Sequence, residues 1–70
     1  MTKWEFTNHL KNLGYAVDEN ASYPTVLLVG ASKNETKQKF YEIKLIAQKV
    51  GYKHTLSVKN LKEENHGNSN

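Results

Sequence analysis

The same helix frame occurs twice in this chain. Thr2-Lys3-Trp4-Glu5 and Ser32-Lys33-Asn34-Glu35 both have the form of a capping box. In that motif a hydroxyl accepts from the amide three residues on, and the glutamate reaches back to the cap's own amide. Each predicted helix then meets glycine and tyrosine, at Leu13-Gly14-Tyr15 and Val50-Gly51-Tyr52. Glycine takes the left-handed conformation that closes a helix without a Cβ penalty. A strand-like run follows each tyrosine. Two helices that each feed a strand direct a chain of 70 residues toward a small α+β domain.

Periodicity fills in the frame. Over residues 3–13, Phe6, Leu10 and Leu13 form one apolar stripe, with His9 at its border and Trp4 off it. Residues 15–19 read as a short strand, and Asn20-Ala21-Ser22-Tyr23-Pro24 as a turn. The run from Thr25 to Gly30 is apolar without alternation, the pattern of a strand covered on both sides. Over residues 33–50, Phe40, Ile43, Ala47 and Val50 form the buried stripe of a second helix, with Ile46 widening it and Tyr41 and Leu45 on its flank. Residues 53–59 alternate: His54, Leu56 and Val58 face one way, Lys53, Thr55, Ser57 and Lys59 the other. The expected order is αββαβ, a three-stranded mixed sheet with both helices packed on one face. The two strands joined through the second helix should be parallel; the apolar middle strand is favoured for the centre, and the alternative puts the first strand, residues 15–19, between the other two. Residues 1–61 make one domain, and 62–70 are expected to be a disordered polar tail.

Composition narrows the function classes. There is no cysteine, which excludes disulfides and thiolate metal sites and fits a cytoplasmic location. The longest apolar run, Val26-Leu27-Leu28-Val29, is far short of a membrane span, and no secretory leader is evident. All ten basic residues are lysine, and eight residues are asparagine, a usage that points to an AT-rich genome such as that of a low-GC bacterium or its phage. Residues 1–59 carry nine lysines against five acids, a net charge of +4. Lysine offers a point charge and not the bidentate fork of arginine, so base-specific recognition is disfavoured while phosphate contact is not.

Catalytic constellations are missing from the pattern. Asp18 and Glu19 are neighbours on a predicted strand and so point to opposite faces. His9, His54 and His66 have no metal-ligand spacing. The chain therefore reads as a non-enzyme that needs no cofactor and no metal. Gly30-Ala31-Ser32-Lys33 lies between a strand and a helix but lacks the phosphate-loop pattern. Ser32 and Lys33 remain a candidate anion site at a helix start. The open sheet face is the stronger candidate, with Leu27, Lys53, Thr55, Ser57 and Lys59 as its binding residues. It suits a protein partner or a second copy of the chain. The alternative partner is nucleic acid, met by Lys53, Lys59 and the helix lysines, with Tyr15 and Tyr52 stacking. Against that, a tyrosine just past a glycine cap commonly packs back on its helix.

The succession Leu13-Gly14-Tyr15-Ala16-Val17, Tyr23-Pro24-Thr25-Val26, Gly51-Tyr52 and Leu56-Ser57-Val58 resembles small uncharacterised prophage-encoded proteins of Gram-positive bacteria. That resemblance spans about residues 3–60 and implies an accessory role in a phage or mobile element, with no activity or site attached. The first helix through Tyr15 is also similar to HicA-type toxins, whose fold is like that of double-stranded-RNA-binding domains. Those toxins require a catalytic histidine in the strand that follows. Residues 16–29 contain none, so the RNase reading is set aside.

Overall fold

In the computed structural model, which describes residues 1–62, the element order is α1 (Lys3–Asn12), β1 (Thr25–Val29), α2 (Lys33–Val50) and β2 (Ser57–Leu61). Both capping boxes form. Thr2 Oγ1 accepts from Glu5 N at 3.1 Å while Glu5 Oε1 accepts from Thr2 N at 2.8 Å, and Ser32 and Glu35 repeat the pair at 3.1 and 2.8 Å. The Thr2 amide holds the Glu5 carboxyl below its ordinary range.

Both helices also end alike. Gly14 and Gly51 have φ of 100° and 79°. The Tyr15 amide donates back to Leu10 O at 3.1 Å, and the Tyr52 amide to Ala47 O at 2.9 Å. Each glycine amide also donates to the carbonyl three residues earlier, which completes the double closure of a Schellman turn. Leu13, predicted for the apolar stripe, is exposed instead. It is the cap residue of α1, at which the chain leaves the helical stripe.

The sheet consists of β1 and β2, paired parallel with Thr25 opposite Ser57 and Val29 opposite Leu61. The α2 crossover thus joins parallel strands, as expected. Residues 15–19 do not form a full strand. They contribute one antiparallel bridge, Val17 to Val26, framed by Asp18 N to Thr25 O and Leu27 N to Ala16 O, each 2.9 Å. Pairing stops there because Asp18 Oδ1 accepts from the Asn20 amide at 3.0 Å and turns the chain. β1 is nevertheless the middle element, with β2 on one side and the bridge on the other.

The predicted strand over 53–59 is shifted to Ser57–Leu61. Residues 53–56 are a loop, held where Tyr52 Oη donates to Thr55 O at 2.6 Å. The core unites both helices with the sheet: Phe6 and Leu10 from α1, Ile43 and Ala47 from α2, Val26 from β1, and Tyr52. The Tyr52 ring stacks on Phe6 at 4.5 Å and 6°. Ile46 and Val50 pack against the cluster, while Trp4, Tyr41 and Leu45 are exposed. Among the described residues no helix is long and apolar enough to cross a membrane. His66 and all but the first residue of the predicted tail lie outside the described residues.

Candidate functional site: the outer sheet face and its free edge

Alternation along β1 decides which side chains leave the core. Val26 is buried and Leu28 packs against the cluster, so Thr25, Leu27 and Val29 belong to the other face. Parallel register places Ser57, Lys59 and Leu61 beside them. Val29 is 65% exposed and Leu61 opposite it 37%. Leu27 is half-buried, next to exposed Lys59. The result is a small apolar patch around one ammonium group.

Of the five residues predicted for this face, Leu27, Ser57 and Lys59 come together on it. Lys53 and Thr55 do not, because their alternation continues through residues that form a loop before β2 begins. They line a groove with Tyr52 and His54. Val29 and Leu61 belong to the patch but were not singled out in the sequence. The run from Thr25 to Gly30 is apolar without alternation and so does not say which face Val29 takes, and Leu61 adjoins a segment that reads as polar.

The backbone of β2 offers a second feature. Ser57 N donates to Pro24 O at 3.0 Å, and Gly30 N donates to Leu61 O at 2.9 Å. Ser57 and Leu61 therefore direct their backbone groups toward β1. The two-residue period of a strand turns those of Val58 and Asn60 the opposite way. Among the described residues no strand pairs with that edge. Asn60 also anchors the far end of β2. Its Nδ2 donates to Ala31 O at 2.6 Å, and its Oδ1 accepts from Ala31 N at 3.1 Å.

The start of α2 has its own capping carboxylate. The Glu35 carboxylate accepts from the Ser32 amide, and Thr36 Oγ1 donates to Ser32 O at 2.9 Å. Ser32 and Lys33 thus flank a helix start that already holds a carboxylate. Nearby, Tyr15 Oη donates to Glu42 Oε2, Lys39 Nζ lies 3.3 Å from the same oxygen, and that ammonium sits 5.5 Å above the Tyr15 ring. The bond to Glu42, reinforced by burial and by the carboxylate charge, pushes the Tyr15 hydroxyl up to about 12. The bond from Tyr15, aided by Lys39, holds the Glu42 carboxyl below its ordinary range. Tyr15 and Tyr52 are thus engaged in holding the fold, Tyr52 within the core and its hydroxyl raised by burial. Among the described residues no cluster of three or more histidine, cysteine or acidic side chains could hold a metal ion.

No protein-family model, curated protein or solved structure matches the chain. Its class is defined by its own geometry: a small α+β domain with two helices and, among the described residues, a two-stranded parallel sheet.

Proposed function

We propose that this chain is a non-enzymatic accessory protein that binds a protein partner through the outer sheet face and the free edge of β2. Its phage or mobile-element setting is part of the same reading. The observation that carries it is the pairing of exposed Val29 and Leu61 beside Leu27 and Lys59, next to an edge whose Val58 and Asn60 backbone groups have no strand partner among the described residues. A partner segment in extended form would take up those backbone groups and lay alternate side chains on the apolar patch. In this reading residues 16–18 act as a rudimentary third strand, and the partner supplies the fourth.

Lys59 bears on what that partner is. If two copies paired antiparallel with β2 overlapping fully, Lys59 would face its own copy. Its backbone points toward β1, so that pair would be of the close, non-hydrogen-bonded kind, with Cα atoms ~4.5 Å apart. Like charges placed so are destabilising, and a lysine on an edge strand commonly guards against self-pairing. The favoured partner is therefore a different chain with an acidic side chain opposite Lys59. Selection of random peptides on the immobilised protein tests this. Selected peptides should alternate apolar residues around an acid, and Leu27→Glu and Lys59→Glu should each weaken them by about tenfold or more. Peptides that bind both variants as well as the original protein would contradict the proposal.

A further inference from the structure

The amino ends of the strands carry a feature that the outer-face reading does not use. Two grooves, of about 510 and 430 Å³, adjoin there and share Tyr52, His54 and Thr55. Lys3 and Tyr23 line the first; Lys44 and Lys53 line the second. Among the described residues no carboxylate lines either groove. The nearest acid in sequence to the first, Glu5, is held by the amide of Thr2 at 2.8 Å. Two further grooves differ: Glu35 and Glu42 accompany Lys39 in one, and Asp18 and Glu19 accompany Lys11 in the other. Among the described residues the ion pairs are Lys11–Glu19 and Lys39–Glu42, and neither uses a residue that lines the joined grooves. Among the described residues the acids thus line other grooves, and Lys3, Lys44 and Lys53 line the joined ones without a carboxylate beside them.

The floor of these grooves is built, not incidental. Tyr52 is locked by its stack on Phe6, and its hydroxyl fixes the Thr55 carbonyl. This holds the loop that presents Lys53 and His54. The His54 ring stands edge-on to Tyr52 at 5.5 Å and 72°, leaving the histidine exposed. Tyr23 is 41% exposed across the first groove. Lys3 Nζ donates to Ser22 O at 2.8 Å, and Lys44 Nζ lies 5.8 Å over the Phe40 ring. The first groove thus combines Lys3 with exposed Tyr23, the second Lys44 and Lys53, and exposed His54 lines both.

We propose that the joined grooves bind single-stranded nucleic acid, with Lys3, Lys44 and Lys53 at phosphates and Tyr23 and His54 against unpaired bases. Cations alone would suit any polyanion; aromatic faces between them suit a strand whose bases are free to stack. The absence of arginine matches contact to phosphates without reading of base edges. The binding is accordingly insensitive to sequence and sensitive to salt. Three phosphate contacts give a slope of about −2 in log affinity against log salt. This inference goes beyond the protein-partner reading and does not rest on it.

The test is fluorescence anisotropy of labelled oligothymidylate of about ten nucleotides at low salt, with unlabelled inorganic polyphosphate as competitor. Lys44→Glu with Lys53→Glu should lower affinity by about tenfold or more. Lys33→Glu with Lys37→Glu makes the same change in net charge at the other end of α2, and should leave affinity within about threefold. Tyr23→Ala should lower oligothymidylate affinity about tenfold and leave polyphosphate unaffected. Amide spectra establish that each variant is folded, and Lys44→Gln with Lys53→Gln replaces the first pair if it is not. No binding at low salt, equal losses in the two charge-reversed pairs, or no effect of Tyr23→Ala would each overturn the proposal.

Discussion

The two edges of the sheet are finished by different means. The free side of β1 is met by residues 16–18, which satisfy Thr25 O and Leu27 N and are pinned at their start by the Tyr15–Glu42 bond. The free side of β2 has no such cover among the described residues; it carries Lys59 in its middle. One edge is closed by chain and the other is guarded by charge. Closure by chain occupies that edge at Thr25 and Leu27. A charged edge repels its own copy while remaining open to a complementary partner, which is why the proposed function lies on the β2 side.

The severest disruption should remove the support that both edges share. Phe6 is fully buried and stacked on Tyr52, so Phe6→Ala should cost about 3–5 kcal/mol. At ~0.05–0.15 kcal/mol per residue that is a large share of the total stability, and urea titration should show most of the cooperative transition lost. A selective loss comes next. Asn60→Ala removes both side-chain bonds to Ala31 and should cost about 1–2 kcal/mol. Faster amide exchange should appear at Ala31 and Gly30, with Asp18 and Leu27 unchanged. If Asp18 and Leu27 loosen equally, the two edges are not independent.

The two glycine caps sharpen the comparison further. Gly14 leads into the covered edge, and Gly51 into the loop before the open one. A Cβ at either would meet nothing within 4 Å, so the penalty is that of a left-handed backbone alone. Gly14→Ala and Gly51→Ala should therefore cost nearly the same, about 1 kcal/mol each, or roughly 4–8 °C in melting temperature.

The smallest effect should come from Tyr15→Phe, which unpins the covered edge. After allowance for solvent screening it should cost about 0.5–1 kcal/mol at neutral pH. The Tyr15 hydroxyl is raised to about 12, so its contribution is present below the ordinary tyrosine value of ~10 and fades as pH rises toward 12. Glu42 is shifted down, so its contribution is present above the ordinary carboxyl range and is lost as pH falls through it. Melting curves of the two proteins should differ most between those limits and converge beyond both.

The helices were legible in the sequence because their signals are local. Thr2 with Glu5, Ser32 with Glu35, and the glycines before Tyr15 and Tyr52 each specify a bond within a few residues. Burial of Tyr52 also followed from its position after a cap. The strands were legible only in part, because pairing joins residues far apart. Alternation over 53–59 identified the faces of Ser57, Val58 and Lys59, yet nothing in it showed that pairing with Thr25 starts only at Ser57. Residues 15–19 had strand character, but the Asp18 turn cut pairing to one bridge. Asn60 has the same composition as the polar segment after it, and no local signal linked it to Ala31, 29 positions earlier. The candidate face divided along the same line: Leu27, Ser57 and Lys59 lie on one face of the paired strands, whereas Lys53 and Thr55 lie in the loop before β2.

Amide exchange at Val58 and Asn60, recorded with and without a peptide selected for binding, tests the protein-partner account most directly. In the free protein both amides point away from β1 and should exchange rapidly, while those of Lys59 and Leu61 should be slow. The account predicts that the bound peptide slows exchange at Val58 and Asn60 together. Unchanged exchange at both in the peptide complex would contradict it.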